Sequence, residues 1–289
     1  MKRSLTPAVL ALALVTASCG ESGPAALTVP QYQALLTGVE QAVHPLLDRI
    51  ASAPSLDEVN KVRAELTAVL KAKHEELKAV KPPAEAVPHH GLVRRYTEAH
   101  TELASPVKDL AVNECEVGPT PEASRYEGLR VTHRELASRT SSDLGRALSG
   151  AGLKFGERLN VPEPKAPEVR TNRAGNGEVV QRSGPKGSTK LTIDNGGEAD
   201  VAVAAVAGDP NNPKATIYVR AKSKAVLTGL GGAYDVYYKS GEDWDPKRRG
   251  FNRGCAFAKF DEPFTSGSNW EITLKTVAGN ASTSEVDAF

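Results

Sequence analysis

Three kinds of side chain in this sequence are able to do chemistry: a group of acids around a tryptophan, a set of histidines, and the cysteines. Glu242, Asp243 and Asp245 surround Trp244 in a stretch that reads as a turn. Carboxylates gathered in a loop suit a divalent cation, two converging acids suit glycoside hydrolysis, and an exposed tryptophan stacks on a sugar or a peptide. Glu242, Asp243, Trp244 and Asp245 are therefore the candidate binding loop. The bland alternative is a structural corner, with Trp244 packed on a sheet edge and the acids capping turn amides.

All six histidines (His44, His74, His89, His90, His100 and His133) fall in the N-terminal half. None has a glutamate three residues before it and no His-Glu-x-x-His occurs, so neither the di-iron bundle pattern nor the zinc protease pattern is present. No metal ligand and no cofactor is expected. A metal- or small-ligand-binding helical bundle remains as an alternative, and it needs at least three of these histidines to converge. The sequence has no Gly-x-Ser-x-Gly, and no Ser-x-x-Lys with its companion motifs. Cys255 has no histidine after residue 133 with which to pair.

The chain holds three cysteines: Cys19, Cys115 and Cys255. Met1-Lys2-Arg3 is a positive start, and Leu5 to Val15 is an apolar run too short to span a bilayer as a mature helix. It reads as the apolar region of an export signal. An exported chain meets an oxidising compartment, which makes a Cys115–Cys255 disulfide the favoured pairing, with free thiols or an intermolecular bridge as rivals. Such a bond would also staple the helical and β parts proposed below.

Val15-Thr-Ala-Ser-Cys19-Gly20 places small residues before a cysteine. This resembles the lipobox of bacterial lipoproteins, with Thr16 where leucine is commoner. The resemblance implies that residues 1–18 are removed, that the Cys19 thiol carries diacylglycerol, and that the mature chain is fastened to the cell membrane on its extracellular face. The alternative is an ordinary cleavable signal ending near Ala17 or Ser18. Residues 19–27 form a short tether, and no later stretch reaches the roughly 18 apolar residues of a spanning helix.

The elements that must position these groups fall into two halves. From 28 to 150, apolar residues recur at spacings of three and four, which predicts four amphipathic helices. The first begins at Thr28 and is interrupted at Pro45. The second begins at the Ser55-Leu-Asp-Glu58 capping box and ends at Pro82-Pro83. The third spans Pro88 to Val112 with a break at Pro106, its Val107 and Leu110 facing inward. The fourth begins at Thr120 and stops at Gly150 and Gly152. Short connections suggest an antiparallel four-helix bundle. Residues 151–189 are rich in proline and glycine and read as a linker, mobile from Arg170 to Lys190 apart from a possible edge strand at Glu178 to Gln181.

From 190 to 289, β-type runs alternate with turns: Leu191–Ile193, Asp200–Val206, Ala215–Arg220, Ala225–Thr228, Tyr234–Tyr238, Cys255–Phe260 and Trp270–Val277. About seven strands at this spacing suggest an all-β sandwich, so the fold class is α+β. Leu191-Thr-Ile-Asp-Asn-Gly196, Ile217-Tyr-Val-Arg220, Gly232-Ala-Tyr234, Tyr238-Lys-Ser-Gly-Glu-Asp-Trp-Asp245, Phe251-Asn-Arg-Gly-Cys255 and Phe260-Asp-Glu-Pro-Phe264 together resemble a β-rich module. That module recurs at the C-terminus of exported actinobacterial proteins and lipoproteins. It has no assigned activity, so the resemblance implies a fold type and an address.

Lys plus Arg is 36 and Asp plus Glu 35, a net charge of +1. That balance argues against a nucleic-acid partner, which calls for a basic face to displace counterions. The functional expectation is a lipid-anchored, non-catalytic surface protein that presents the β module to a cell-wall or protein ligand. A glycan hydrolase using the acids near Trp244 is the alternative from another class.

Overall fold

The computed structural model describes residues 24–139, 142–159, 161–183, 186–265, 267–274 and 282–289. It is an α+β structure in which the helices precede the strands. By internal contacts it divides into two compact units, each discontinuous in sequence. Of the described residues, the first comprises those up to Arg49, Arg63–Ala104 and those of Arg134–Val161; the second comprises Ile50–Val62, Ser105–His133 and those of Pro162–Phe289.

The helix starts follow from local hydrogen bonds. Helix α1 (Val29–Ser52) opens on a reciprocal cap: the Gln31 N–H donates to Thr28 Oγ1 at 3.4 Å, and the Thr28 N–H donates to Gln31 Oε1 at 2.9 Å. The helix runs through Pro45 without the expected interruption. In α2 (Leu56–Lys78), the Glu58 N–H donates to Ser55 Oγ at 3.3 Å. A short 3-10 turn (Ala84–Ala86) leads into α3 (Val87–Thr97) and α4 (His100–Leu103). Helix α5 (Pro121–Ala137) begins where the Ala123 N–H donates to Thr120 Oγ1 at 3.2 Å. Helix α6 (Ser142–Gly150) ends in a Schellman motif, with Leu153 N–H bonded to Leu148 O, Gly152 N–H bonded to Ser149 O, and Gly152 at φ +73°.

Two helical expectations need correction. The third helix does not reach Val112; it ends at Leu103. Pro106 supplies no N–H, and the Asn60 side chain takes the next residue instead, donating to Val107 O at 3.0 Å and accepting from Val107 N–H at 2.8 Å. Leu110 and Val112, which a continued helix would turn inward or pair, are exposed. The fourth helix is two helices, α5 and α6, and not one.

The first unit buries Tyr32, Leu36, Val39, Leu66, Leu70, Tyr96 and Phe155. Its buried charge is paired: Arg63, 1% exposed, donates to Glu135 at 2.8 Å. His90 Nδ1 lies 2.8 Å from the Tyr32 hydroxyl. Burial, with the charge of Arg94, holds its imidazole below the usual value despite a hydrogen bond to the Leu77 backbone.

Among its described residues the second unit holds nine strands: β1 (Val179–Arg182), β2 (Thr189–Asn195), β3 (Asp200–Val206), β4 (Ala215–Val219), β5 (Ser223–Leu230), β6 (Asp235–Asp245), β7 (Gly250–Phe260), β8 (Trp270–Leu274) and β9 (Thr283–Glu285). Six form an antiparallel sheet in the order β1-β4-β3-β6-β7-β9. Three form a second sheet in the order β5-β2-β8, in which β2 and β8 run parallel. One apolar cluster draws on both sheets, including Leu191, Ile193 and Ile272 from the smaller and Val203, Ile217 and Phe260 from the larger. The other side of β3 and β4 meets a second cluster of Ala202, Tyr218, Trp244 and Phe251. With both faces covered, every residue of β3 is buried.

Three further differences from expectation concern this unit. The stretch expected to be mobile is hydrogen-bonded: Trp244 N–H to Asn172 O, Gly177 N–H to Tyr218 O, and Tyr218 N–H to Glu178 O, each at 2.8 Å. Edge strand β1 is present there and pairs with β4. The stretch Glu242 to Asp245, expected as a turn, ends β6, and β6 and β7 are the two eleven-residue arms of a hairpin. Of the expected strand Trp270–Val277, residues 275–277 lie outside the described residues.

The hairpin depends on Gly241. It lies where the β6–β7 register shifts, and a Cβ there would meet Phe251 Cβ at 2.6 Å and Arg253 O at 3.0 Å. Gly241→Ala is expected to cost about 2 kcal/mol as an overpacking change, read as a lower midpoint in urea unfolding. An unchanged midpoint would mean that the two strands separate freely at this point.

Candidate functional site

Cys19 lies outside the described residues. Cys115 and Cys255 are joined, with Cα atoms 5.1 Å apart across a sequence separation of 140. The approach is prepared by Asn113 and Glu114. Asn113 Oδ1 accepts the N–H groups of Cys115 (3.0 Å) and Val117 (3.1 Å), while its Nδ2 donates to Asn252 O at 2.7 Å. Glu114 Oε1 accepts the Gly254 N–H at 2.5 Å, and backbone hydrogen bonds of this kind hold its carboxyl below the usual range. Both cysteines belong to the second unit. The bond therefore closes that unit on itself, joining the stretch before α5 to strand β7.

The candidate binding loop is not a loop. Glu242, Asp243, Trp244 and Asp245 end strand β6. Trp244 is 3% exposed, its ring 5.1 Å from both Tyr218 and Phe251. Asp243, at φ +57°, accepts from the Asn172 N–H, the Asn172 side-chain amide (2.9 Å) and the Asn252 side-chain amide (2.8 Å). Glu242 is paired with Arg253 at 2.9 Å. Asp245 accepts the Lys247 N–H at 2.8 Å and caps the Lys247 to Arg249 turn. Each acid thus has a structural partner, although only Asp245 caps turn amides and Trp244 sits on an inner strand and not at a sheet edge.

A neighbouring network had no sequence signal. Asp200, 7% exposed, takes both ends of the Arg173 guanidinium (2.5 and 2.6 Å), the Tyr218 hydroxyl and the Ala221 N–H (2.8 Å). Burial alone would raise the Asp200 carboxyl, but these hydrogen bonds and the Arg173 charge outweigh it and leave it below the usual range. Its partners stand 18 to 27 residues away in sequence, so no motif announces them.

The histidines are dispersed among local contacts. His74 and His100 have ring centroids 5.4 Å apart, and His74 Nδ1 lies 3.1 Å from Thr97 Oγ1. His44 lies 3.6 Å from Asp48. His89 and His133 are half-buried. Among the described residues, no three His, Cys, Asp or Glu side chains converge as a metal site would require.

An open depression of about 240 Å³ in the second unit is lined, among the described residues, by Phe260, Phe264, Trp270 and Ile272 with Glu262, Pro263, Glu271 and Ser282. Strand β7 supplies Phe260; β8 supplies Trp270, held in register opposite Leu191. Phe264 is pinned by two backbone hydrogen bonds to Tyr234 (2.8 and 3.0 Å) and stacks on its ring at 5.8 Å. The Trp270 ring meets Phe264 edge to face at 5.1 Å and 70°, and its indole N–H donates to Thr265 O at 3.3 Å. Trp270 is half-buried, unlike Trp244. Both tryptophans lie in the β half, and Trp270, not Trp244, lines this depression. The usable signal was Phe260-Asp-Glu-Pro-Phe264, an aromatic pair with acids, lying close before Trp270.

Two outcomes follow from these contacts. A Cys115→Ser, Cys255→Ser double variant loses a link closing a long loop, expected at up to about 5 kcal/mol; its urea midpoint falls well below that of the oxidised chain, while the oxidised chain plus reductant approaches it. Asp200, with a carboxyl depressed by folding, contributes stability that is complete above the ordinary aspartate value and is lost as pH falls through its lower folded value. Replacing it with Asn in Asp200→Asn is expected to lower stability at pH 7 and flatten the acid limb of the stability–pH curve; an unaltered acid limb would exclude Asp200 from it.

Comparison of the chain with protein-family models, with curated proteins and with solved structures finds no match in any of the three.

Proposed function

We propose that this chain is a lipid-anchored protein of the extracellular face of the cell membrane, which presents its β-rich part to an envelope component and carries out no turnover. Residues 1–18 are the export signal, diacylglycerol on Cys19 is the anchor, and residues 19–27 are the tether. The helical arms α1, α2, α3 with α4, and α5 with α6 follow one another as an antiparallel four-helix bundle. The two sheets, sharing one apolar cluster, form a β-sandwich. The ligand is a cell-wall polymer or a protein, and the depression beside Trp270 is where it binds.

The observation that carries this reading is the Cys115–Cys255 bond. It fits a chain that folds in an oxidising compartment. It also accounts for two of three cysteines, leaving the one at the lipobox-like Ala17-Ser18-Cys19 for a different chemistry. Two acyl chains hold a protein to a bilayer stably where one does so only reversibly. Among the described residues no helix is long and apolar enough to cross a membrane, so the anchor is the only attachment this reading invokes.

Expression of the full chain in a bacterial host that processes lipoproteins tests the anchor. The wild-type product is expected in the membrane fraction with diacylglycerol mass on Cys19, and Cys19→Ala is expected in the soluble fraction with Cys115–Cys255 intact. A wild-type product that is soluble and carries no acyl mass overturns the proposal.

A further inference from the structure

We infer that the turn between β6 and β7, together with Lys239 of β6, binds a linear polymer that carries repeated oxyanions, such as phosphodiesters. The site is separate from the depression beside Trp270, and it stands whether or not Cys19 is acylated.

The charges here are not balanced within the protein. Lys247, Arg248 and Arg249 follow one another in the turn and are all exposed. The acid of the turn, Asp245, accepts the Lys247 N–H at 2.8 Å and the Arg248 N–H at 3.3 Å, and lies 3.6 Å from Arg248 Nε. Glu242 is spent on Arg253, and buried Asp243 on Asn172 and Asn252. Among the described residues no Asp or Glu side chain pairs with Lys239, Lys247 or Arg249. Lys239 is half-buried and donates to a main-chain oxygen, that of Phe289, at 2.9 Å. Burial, and after it the charges of Arg248 and Arg249, push its amine down to about 8, so these cations are close enough to repel one another. Like charges gathered in this way draw an anion.

The backbone gives an independent sign. Arg249 sits at φ +54°, the left-handed conformation, in the short turn that joins the two arms of a hairpin. Glycine is the unstrained residue there. An arginine therefore stands where glycine would fold more easily, and among the described residues its side chain makes no hydrogen bond or ion pair that would offset the strain. Strain kept at an exposed side chain points to a contact made outside the fold.

Reach chooses among anionic partners. A flat bilayer would meet the exposed turn but not half-buried Lys239, whereas a flexible chain can follow the hairpin to both. Guanidinium groups match oxyanions with two parallel hydrogen bonds. Each oxyanion neutralised releases counterions, so affinity must fall with salt.

The test is titration calorimetry of the full chain with poly(glycerol phosphate), polyglutamate and uncharged dextran, with sedimentation against phosphatidylglycerol vesicles. Poly(glycerol phosphate) is expected to bind, with log affinity falling linearly against log salt, and dextran is not. Arg249→Gly should weaken binding about 5-fold and make the salt slope shallower by about 0.7, while its urea midpoint equals or exceeds that of the unchanged chain. A merely structural arginine would not give that combination. Lys247→Gln, at an exposed position, should weaken binding to a similar extent. Cys19→Ala should leave the binding intact, which separates this site from the anchor. Tighter binding of polyglutamate would identify carboxylates as the source of the same oxyanion chemistry. No binding of either polyanion, equal binding of dextran, an affinity unmoved by Arg249→Gly, or binding to vesicles alone overturns the inference.

Discussion

The second unit depends on burial of one apolar cluster to which both sheets contribute. Leu191 and Ile193 of β2, Val201 and Val203 of β3, Ile217 and Val219 of β4 and Ile272 of β8 are at most 4% exposed. Burying each such side chain contributes about 1.5–3 kcal/mol relative to leaving it in water. Because side chains alternate along a strand, a slip of one residue in any of these strands would turn its contribution to the wrong face. The register of β8 against β2 places Trp270 opposite Leu191 and Ile272 opposite Ile193, so the depression inherits its geometry from the core.

Polar groups do the finer positioning. Asn195, 1% exposed, donates from its amide to Ala199 O and Arg220 O and accepts the Gly197 N–H, tying the β2–β3 turn to the end of β4. Asp200 receives Arg173, and Asp243 receives Asn172, so two neighbouring residues of an otherwise extended segment are held by buried carboxylates. A buried charge left alone would be costly, and here each is surrounded by donors. The extended segment is therefore part of the sheet's surroundings in spite of its composition.

What was legible in the sequence was local. The caps at Thr28, Ser55 and Thr120 are read from the residue types at the helix starts and lie where the hydrogen bonds are found. Strands β3 and β4 follow directly from their runs of β-type residues. The cysteine pairing followed from counting. What was not legible depended on partners far along the chain. Val107 kept the helical spacing, but Pro106 and the side chain of Asn60 drew its backbone out of the helix. Gly241, Glu242 and Asp243 have turn composition, yet the opposite strand supplies Phe251 and Arg253 to make them a strand. The depression joins Phe260, Trp270 and Ser282, and nothing in their spacing says that they meet.

The covalent link between Cys115 and Cys255 makes a ring of everything between them. The proline-containing stretch 162–171 lies inside that ring and is largely exposed, which makes it the natural place for a protease to cut. A nick there would leave one fragment holding Cys115 and the other Cys255, so the two would stay together. The part of the chain before Cys115 would therefore keep the strands as well, until a reductant opened the ring.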